Sequence, residues 1–225
     1  MIYWILIGGI TLLSVLVQRN LTNKFEKYSK MYLSNRLTGK EIAELMLQKN
    51  NINNVSVTCI NGTLTDHYNP SNQTVNLSEG VYQSNSLAAA AVAAHECGHV
   101  LQHASGYAFI KMRSSLVPAV SFASKWSQWV ILAGLLLINY LGTSLLIVGI
   151  AMYAIMTLFS FITLPVEIDA SRRAVKWLSE TGIVSSQDLP IVKDALKSAA
   201  YTYVVAAIGS LATLLYYISR VNDRR

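Results

Sequence analysis

The feature that most constrains this chain is a run of 39 residues, 126–164, that contains no charged side chain. A helix needs only about 20 apolar residues to cross a bilayer. The run therefore predicts a transmembrane helical hairpin over residues 116–165, with Asn139-Tyr140-Leu141-Gly142 as the turn between its arms. The composition agrees, because 52% of the residues are hydrophobic and 13% are charged, which is too apolar for an ordinary soluble domain.

Two further apolar runs lie at the ends of the chain. Residues 1–17 carry no charge and show neither the basic start nor the cleavage site of a secretory signal, so we predict an uncleaved N-terminal transmembrane helix. Five basic residues follow within 18–36, which by the positive-inside rule places that flank in the cytoplasm and the N-terminus outside. A fourth apolar helix is predicted in 199–225, ahead of a basic tail; it either spans the bilayer or enters it partway.

The segment 18–115 is predicted to be soluble, and it contains the motif H-E-x-x-H at residues 95–99. An alanine-rich sequence precedes the motif, and we predict one helix over about 86–104. His95 and His99, four residues apart, would project from one face of that helix and could bind one zinc ion. Glu96 would stay off the metal and serve as the base that takes a proton from a water activated there.

Ahead of this helix the pattern predicts a capping box at Thr38-Gly39-Lys40-Glu41 with a helix to about Asn50, followed by short β-strands. We predict strands at 55–60 and 62–68, a turn at Asn69-Pro70-Ser71-Asn72 and a third strand from residue 73. The third strand would be a sheet edge able to pair with an extended peptide, or part of a plain structural hairpin. Its residues are Gln73, Thr74, Val75, Asn76 and Leu77.

Two imidazoles leave zinc short of a third protein ligand. Glu167 is the best candidate, because it shares one face of a predicted helix starting near Pro165 with Ala170, Ser171 and Ala174. Asp169 is a rival that lies off this face, and Glu79 is a weaker candidate. Glu167 could instead only favour a helix N-terminus electrostatically. The segment 166–198 would hold this helix and a second, amphipathic one, and the hairpin before it would return the chain to the side of His95.

The segments A-A-H-E-C-G-H-V-L-Q-H and L-P-V-E-I-D-A-S-R-R-A resemble the YugP-type neutral zinc metallopeptidases of bacterial membranes. More distantly, they are similar to the membrane gluzincins of the HtpX and CAAX-protease type. The resemblance implies His95, His99 and Glu167 as zinc ligands and Glu96 as the catalytic base. It also implies a mainly α-helical, multi-pass protein of the bacterial plasma membrane with a zincin-like α+β catalytic region.

Three other residues are predicted to surround this site. His103 continues the histidine register but lies about 12 Å along the helix axis from His95, too far to share its ion. Ser171 stands where the more distant relatives have aspartate beside a ligand histidine. Arg173, or Arg172 beside it, could pair with a substrate carboxylate or a developing oxyanion, or could make an ordinary surface or lipid-headgroup contact. The longer zincin motif fails here, because Gln102 and Ser105 replace its glycine and third histidine.

These features together predict a membrane-bound zinc metalloendopeptidase that hydrolyses protein or peptide substrates, membrane proteins among them, at the cytoplasmic surface. A zinc-binding membrane scaffold or adaptor without hydrolytic activity is the alternative, and a transporter is disfavoured because the spans carry no charge. The net charge of +6 does not indicate nucleic acid binding, because the basic residues lie mostly beside the apolar runs. The sequence does not indicate an oligomeric state.

Overall fold

A computed structural model of the chain describes residues 2–141 and 143–222. Gly142 of the predicted turn and residues 223–225 of the basic tail lie outside the described residues. The helices are α1 (Ile2–Tyr28), α2 (Gly39–Lys49), α3 (Glu79–Tyr82), α4 (Leu87–Ala104), α5 (Ala108–Leu136), α6 (Ile138–Leu141), α7 (Ser144–Glu180) and α8 (Leu189–Asn222). The strands are β1 (Ser56–Ile60), β2 (His67–Asn69) and β3 (Thr74–Ser78).

The chain divides into two compact units. One contains α1 as far as Leu16, residues Ala108–Pro165 and the part of α8 that follows Thr202. The other contains Val17–Tyr107 and Val166–Tyr201, and it holds the sheet, the H-E-x-x-H helix α4 and Glu167. Three helices, α1, α7 and α8, each contribute residues to both units.

The first unit is helical, and its α5 and α7 pack closely in the described residues. A Cβ added at Gly134 would fall 2.7 Å from the backbone nitrogen of Leu146, and one added at Gly149 would fall 3.0 Å from that of Ile131. Such contacts need glycine, which lets helix backbones approach in the manner of membrane helices. Large apolar side chains of this unit, such as Trp129 and Leu136, remain exposed, as expected of a surface that faces lipid.

Three of the described helices are long and apolar enough to cross a membrane: Trp4–Tyr28, Ser144–Glu180 and Leu189–Val221. The first predicted arm of the hairpin, α5, is not among them, since Lys125 and several serine and glutamine side chains lower its mean hydropathy. The N-terminal helix also continues beyond residue 17, to Tyr28. The protein is therefore a membrane protein with three candidate spans in its described part, where the sequence predicted four.

The second unit contains a three-stranded sheet of order β1-β3-β2. Strands β2 and β3 form the predicted antiparallel hairpin, with Tyr68 opposite Val75, while β1 pairs with β3 in parallel. The prediction that Gln73, Thr74, Val75, Asn76 and Leu77 form a sheet edge is wrong, because β3 has a neighbour on both sides. The parallel partner β1 covers the side of β3 that β2 leaves free, so no side of β3 is open to a peptide. The edge strands of the sheet are β1 and β2.

Helix α2 packs against α4 in the core of this unit. The predicted capping box is present: Thr38 Oγ1 accepts from the backbone N–H of Glu41, and the Glu41 carboxylate accepts from the backbone N–H of Thr38. This carboxylate therefore has a pKa below its usual range. Ile42 and Met46 are completely buried, as are the small residues of α4 that face them, so the alanine-rich sequence serves close helix packing.

The structure corrects the helix boundaries around Glu167. Pro165 was expected near the start of a new helix, but it lies inside the continuous helix α7. A proline in an apolar helix loses one backbone hydrogen bond, which neighbouring groups in a membrane protein can compensate. Likewise, the amphipathic segment and the last apolar run form one helix, α8, with Pro190 in its first turn.

Candidate metal centre

Helix α4 begins at a serine cap and carries His95 at its midpoint and His99 about one turn later. Ser86 Oγ accepts from the backbone N–H of Ala89 at 3.1 Å, which satisfies one of the free N–H groups of the first turn. Gly98, between the histidines, faces α7 so closely that a Cβ there would lie 2.6 Å from the carbonyl oxygen of Ala170. This close approach brings Glu167, one turn earlier on α7, to the histidine face.

His95, His99 and Glu167 converge on one point. The Nε2 atom of His95 lies 3.2 Å from Glu167 Oε2, and that of His99 lies 3.7 Å from the same oxygen. One ligand atom from each residue lies within 4.8 Å of the others. Within the described parts of the chain, this is the group of three histidine, cysteine or acidic side chains whose spacing could hold a metal ion.

The spacing of these atoms fits zinc. Two ligand atoms about 2.0–2.1 Å from a tetrahedral zinc ion lie roughly 3.3 Å apart. The observed separations of 3.2 and 3.7 Å are close to that value. Two imidazoles and one carboxylate also form the donor set that catalytic zinc sites use, with a fourth position left for water or substrate. The residues present therefore fit a zinc ion.

Each candidate ligand histidine has a hydrogen-bond partner at its other ring nitrogen. Ser171 Oγ lies 3.1 Å from Nδ1 of His95, and Gln102 Oε1 lies 3.1 Å from Nδ1 of His99. The Nε2 atoms are thereby directed at Glu167. Hydrogen bonds of this kind fix the orientation of metal-binding imidazoles.

Glu96 lies beside the ligands and contacts the sheet. It is buried, and its Oε2 accepts from the backbone N–H of Tyr68 at 3.1 Å. This N–H belongs to the edge strand β2, so the carboxylate is anchored between α4 and that edge.

Comparison with known proteins supports the zinc interpretation. A family model described as "Putative neutral zinc metallopeptidase" matches residues 3–222. The chain belongs to this family of zinc metallopeptidases. It is also 40% identical over 208 residues to the "Putative membrane protease YugP" of Bacillus subtilis (strain 168), an alignment that covers 92% of this chain and 90% of that protein. No solved structure matches the chain.

Burial and charge shift the pKa of His99 in opposite directions at this candidate metal site. Burial lowers the pKa of His99, but the hydrogen bond with Glu167 and the charges of Glu96 and Glu167 raise it more, so this pKa lies above its usual value. The pKa of Cys97, in contrast, is strongly raised by burial. Its thiol contacts the carbonyl oxygen of Ala43 at 3.6 Å. Cys97 is thus a packed thiol on the α2 side of α4.

Three further residues considered for the site, His103, Arg173 and Asp169, each have a side-chain partner near it. The ring of His103 packs edge-on against Tyr68, with centroids 5.4 Å apart. Arg173 donates to Asp169 Oδ2 at 2.6 Å and also stacks over the ring of Tyr107. Asp169, the rival ligand, accepts from Gln102 as well and lies outside the group of three. The surrounding roles of His103, Ser171 and Arg173 stay predictions.

Sequence reasoning missed two contributors to the site. Gln102 was considered only as the residue that breaks a longer motif, although its position three residues after His99 places both on one helix face. That spacing could have identified it. The contact of Glu96 with the Tyr68 N–H joins residues 28 positions apart, and no local pattern in the sequence indicates it.

Proposed function

We propose that the protein is a membrane-bound zinc metalloendopeptidase that hydrolyses peptide bonds of protein substrates. The observation that carries the proposal is the convergence of His95, His99 and Glu167, with Glu96 adjacent on the same helix. Membership of a zinc metallopeptidase family and the similarity to a bacterial membrane protease support the same activity.

Each residue of the site has a separate task in this proposal. Zinc, held by His95, His99 and Glu167, would supply a Lewis acid that activates water and polarises the scissile carbonyl. Glu96 takes the proton of the attacking water and gives it to the departing amine, so that the peptide bond breaks into an acid and an amine. The Tyr68 N–H holds the Glu96 carboxylate in place during both transfers.

The edge strand β2 is the place where we expect the substrate main chain. The Tyr68 N–H points away from β3, toward Glu96, so the outer side of β2 borders the site. Because the Tyr68 N–H is bonded to Glu96, an extended peptide along this edge would hydrogen-bond to the outward-facing carbonyl of Tyr68 and be specified by its alternate side chains. This role replaces the one predicted for β3.

We place the site at the cytoplasmic surface of the plasma membrane. The apolar start of α1 is followed by Arg19, Lys24, Lys27, Lys30 and Arg36, a basic flank of the kind that stays in the cytoplasm. The site belongs to the unit that contains this flank. Proteins in or near the membrane are therefore the proposed substrates.

The proposal is tested with purified protein in detergent, using fluorescein-labelled casein as the substrate and inductively coupled plasma mass spectrometry for zinc. We expect hydrolysis that stops when o-phenanthroline removes the metal. Glu96→Gln should keep zinc bound and lower kcat by about 10²–10⁴-fold, the usual contribution of a general base. Glu44→Gln, which changes an exposed carboxylate on α2, is the matched control and should behave as wild type.

Unchanged turnover in Glu96→Gln would remove Glu96 from the mechanism. If the wild-type protein binds zinc but hydrolyses neither casein nor membrane proteins that are co-expressed with it, the result favours a scaffold or adaptor without hydrolytic activity.

A further inference from the structure

A completely buried glutamine links the metal site to a charged pair on α7. Gln102 has no exposed surface, and a buried amide must find hydrogen-bond partners for both its oxygen and its nitrogen. Its Nε2 donates to the carbonyl oxygen of Val166 at 2.7 Å and to Asp169 Oδ2 at 2.9 Å. Its Oε1 faces Nδ1 of His99 at 3.1 Å.

These partners permit one orientation of the amide. The carbonyl of Val166 can only accept a hydrogen bond. The Asp169 carboxylate accepts from Arg173 Nε at 2.6 Å, and a guanidinium can only donate, so the pair with Arg173 keeps Asp169 an acceptor. The NH2 group of Gln102 must therefore face these two oxygens, and its carbonyl oxygen must face His99.

The amide orientation in turn sets the proton position on His99. An amide oxygen can only accept, so Nδ1 of His99 must carry the hydrogen. A neutral imidazole protonated at Nδ1 has a bare lone pair at Nε2. That Nε2 atom is the one that faces Glu167. The buried hydrogen bonds of Gln102 thus favour the Nδ1–H tautomer of His99, whose Nε2 lone pair is the one that a metal ion requires.

His95 has different partners. Its Nε2 lies 3.2 Å from Glu167 Oε2, closer than the 3.7 Å between His99 Nε2 and the same oxygen, and a carboxylate oxygen accepts. Its Nδ1 faces the hydroxyl of Ser171 at 3.1 Å, and a hydroxyl can donate as well as accept. The two histidines therefore differ: the nearest acceptor of His99 is Gln102 Oε1 at Nδ1, whereas the nearest acceptor of metal-free His95 is Glu167 at Nε2.

We infer that Gln102 is a positioning residue of the metal site, which holds His99 in its Nδ1–H tautomer before metal binds, and that Asp169 and Arg173 hold the Gln102 amide for this task. The inference rests on the zinc site of the proposed function but not on its proteolytic activity. A protein that binds zinc without hydrolysing anything would have the same property.

The first test measures the wild-type protein and needs no change at Gln102. The chain has four histidines, so 15N-histidine labelling gives few imidazole signals, which His→Gln variants assign. In metal-free protein in alkaline buffer, two-bond 15N–1H correlations should show His99 as the Nδ1–H tautomer. A hydrogen on Nε2 of His99 would overturn the inference, whatever the activity of the protein.

The second test measures zinc affinity by competition with a chromophoric chelator. Gln102→Met keeps the length and the burial but removes the acceptor, and we expect a mixed His99 tautomer and a zinc Kd weaker by about 10–100-fold, the usual effect of losing such a partner. Gln48→Met, at an exposed position on α2, is the control and should bind zinc as wild type does. An unchanged Kd in a folded Gln102→Met variant would contradict the inference, and if that variant does not fold, the wild-type tautomer decides.

Discussion

At the scale of single residues, the site depends on groups that lie far apart in sequence and meet at short distances. His95 and Glu167, 72 positions apart, approach to 3.2 Å. Without metal, the neighbouring Glu167 carboxylate favours the protonated form of His99. With zinc, the same three groups must all be ligands, and the imidazoles must be neutral. Protons and metal therefore compete for the histidines.

This competition predicts that zinc stabilises the protein less at acidic pH. The pKa of His99 is raised in the folded, metal-free protein. Protonation of His99 therefore stabilises the folded, metal-free protein. This stabilisation is complete at a pH below the ordinary histidine pKa, and it is lost as the pH rises through the raised pKa of His99. The zinc-dependent increase in Tm should shrink as pH falls below the raised pKa. Melting curves recorded with zinc and with chelator over a pH series measure this increase in Tm. An increase that stays constant or becomes larger in acid would contradict the explanation.

Most of the site residues could be predicted from the sequence, because they are encoded in two short motifs. The spacing of His95, Glu96 and His99 follows from helix geometry. Glu167 was chosen because a zinc site lacks a third ligand and because small residues share its face. Gln102 was missed although its spacing from His99 places both on one helix face. Tyr68 was missed because it acts through a backbone N–H, which leaves no recognisable pattern in the sequence.

At the scale of elements, the contact between α4 and α7 determines the metal site. Gly98 of α4 faces the backbone of Ala170 on α7, and both Ala170 and Ala174 are completely buried. The small residues of the two motifs thus have a structural role that is separate from the chemistry of their histidines and carboxylates.

Gly98→Ala is expected to damage this contact. The new Cβ would overlap the carbonyl of Ala170, a backbone atom that cannot rotate away, so the helices must separate at a cost of about 1–3 kcal/mol. Both Tm and zinc affinity should fall. Gly80→Ala on α3 is the control, because nothing lies within 4 Å of a Cβ there. Wild-type Tm and zinc affinity in Gly98→Ala would show that the contact is looser than the structure indicates.

Local elements were easier to predict than their arrangement. The capping box at Thr38 and the helix predicted over about 86–104 follow from short-range rules, and both are confirmed. The prediction that residues 73–77 form a sheet edge was wrong, because β1 pairs in parallel with β3. No pattern in the sequence between these strands indicates that pairing. Pro165 was misread because a proline usually marks a helix start, whereas α7 continues through it.

At the scale of the whole molecule, the protein combines membrane helices with a unit that contains a sheet and the metal site. In the second unit, side-chain hydrogen bonds join parts of the chain that are distant in sequence. Asp194 of α8 accepts from Lys24 Nζ at 2.7 Å and from Tyr28 Oη at 2.6 Å, both on α1. The side of the membrane on which this unit lies is a proposal from the charge distribution alone.

The two native cysteines offer a direct test of that orientation. Cys59 is exposed on β1 and Cys97 is buried, so a membrane-impermeant maleimide should react with Cys59 alone. If the unit is cytoplasmic, intact cells should show no labelling and permeabilised cells full labelling. Cys59→Ser should abolish the signal and serves as the control. Strong labelling of Cys59 in intact cells would place the unit, and the metal site with it, outside.

The central claim is that His95, His99 and Glu167 together hold one zinc ion, and X-ray absorption at the zinc edge of the purified protein tests it most directly. We predict one zinc per chain, with nitrogen and oxygen neighbours at about 2.0–2.2 Å and the outer scattering of two imidazoles. The signal should disappear in Glu167→Ala and persist in Glu180→Ala, which alters an exposed carboxylate on the same helix. A sulfur neighbour at about 2.3 Å, or full zinc occupancy in Glu167→Ala, would contradict the account.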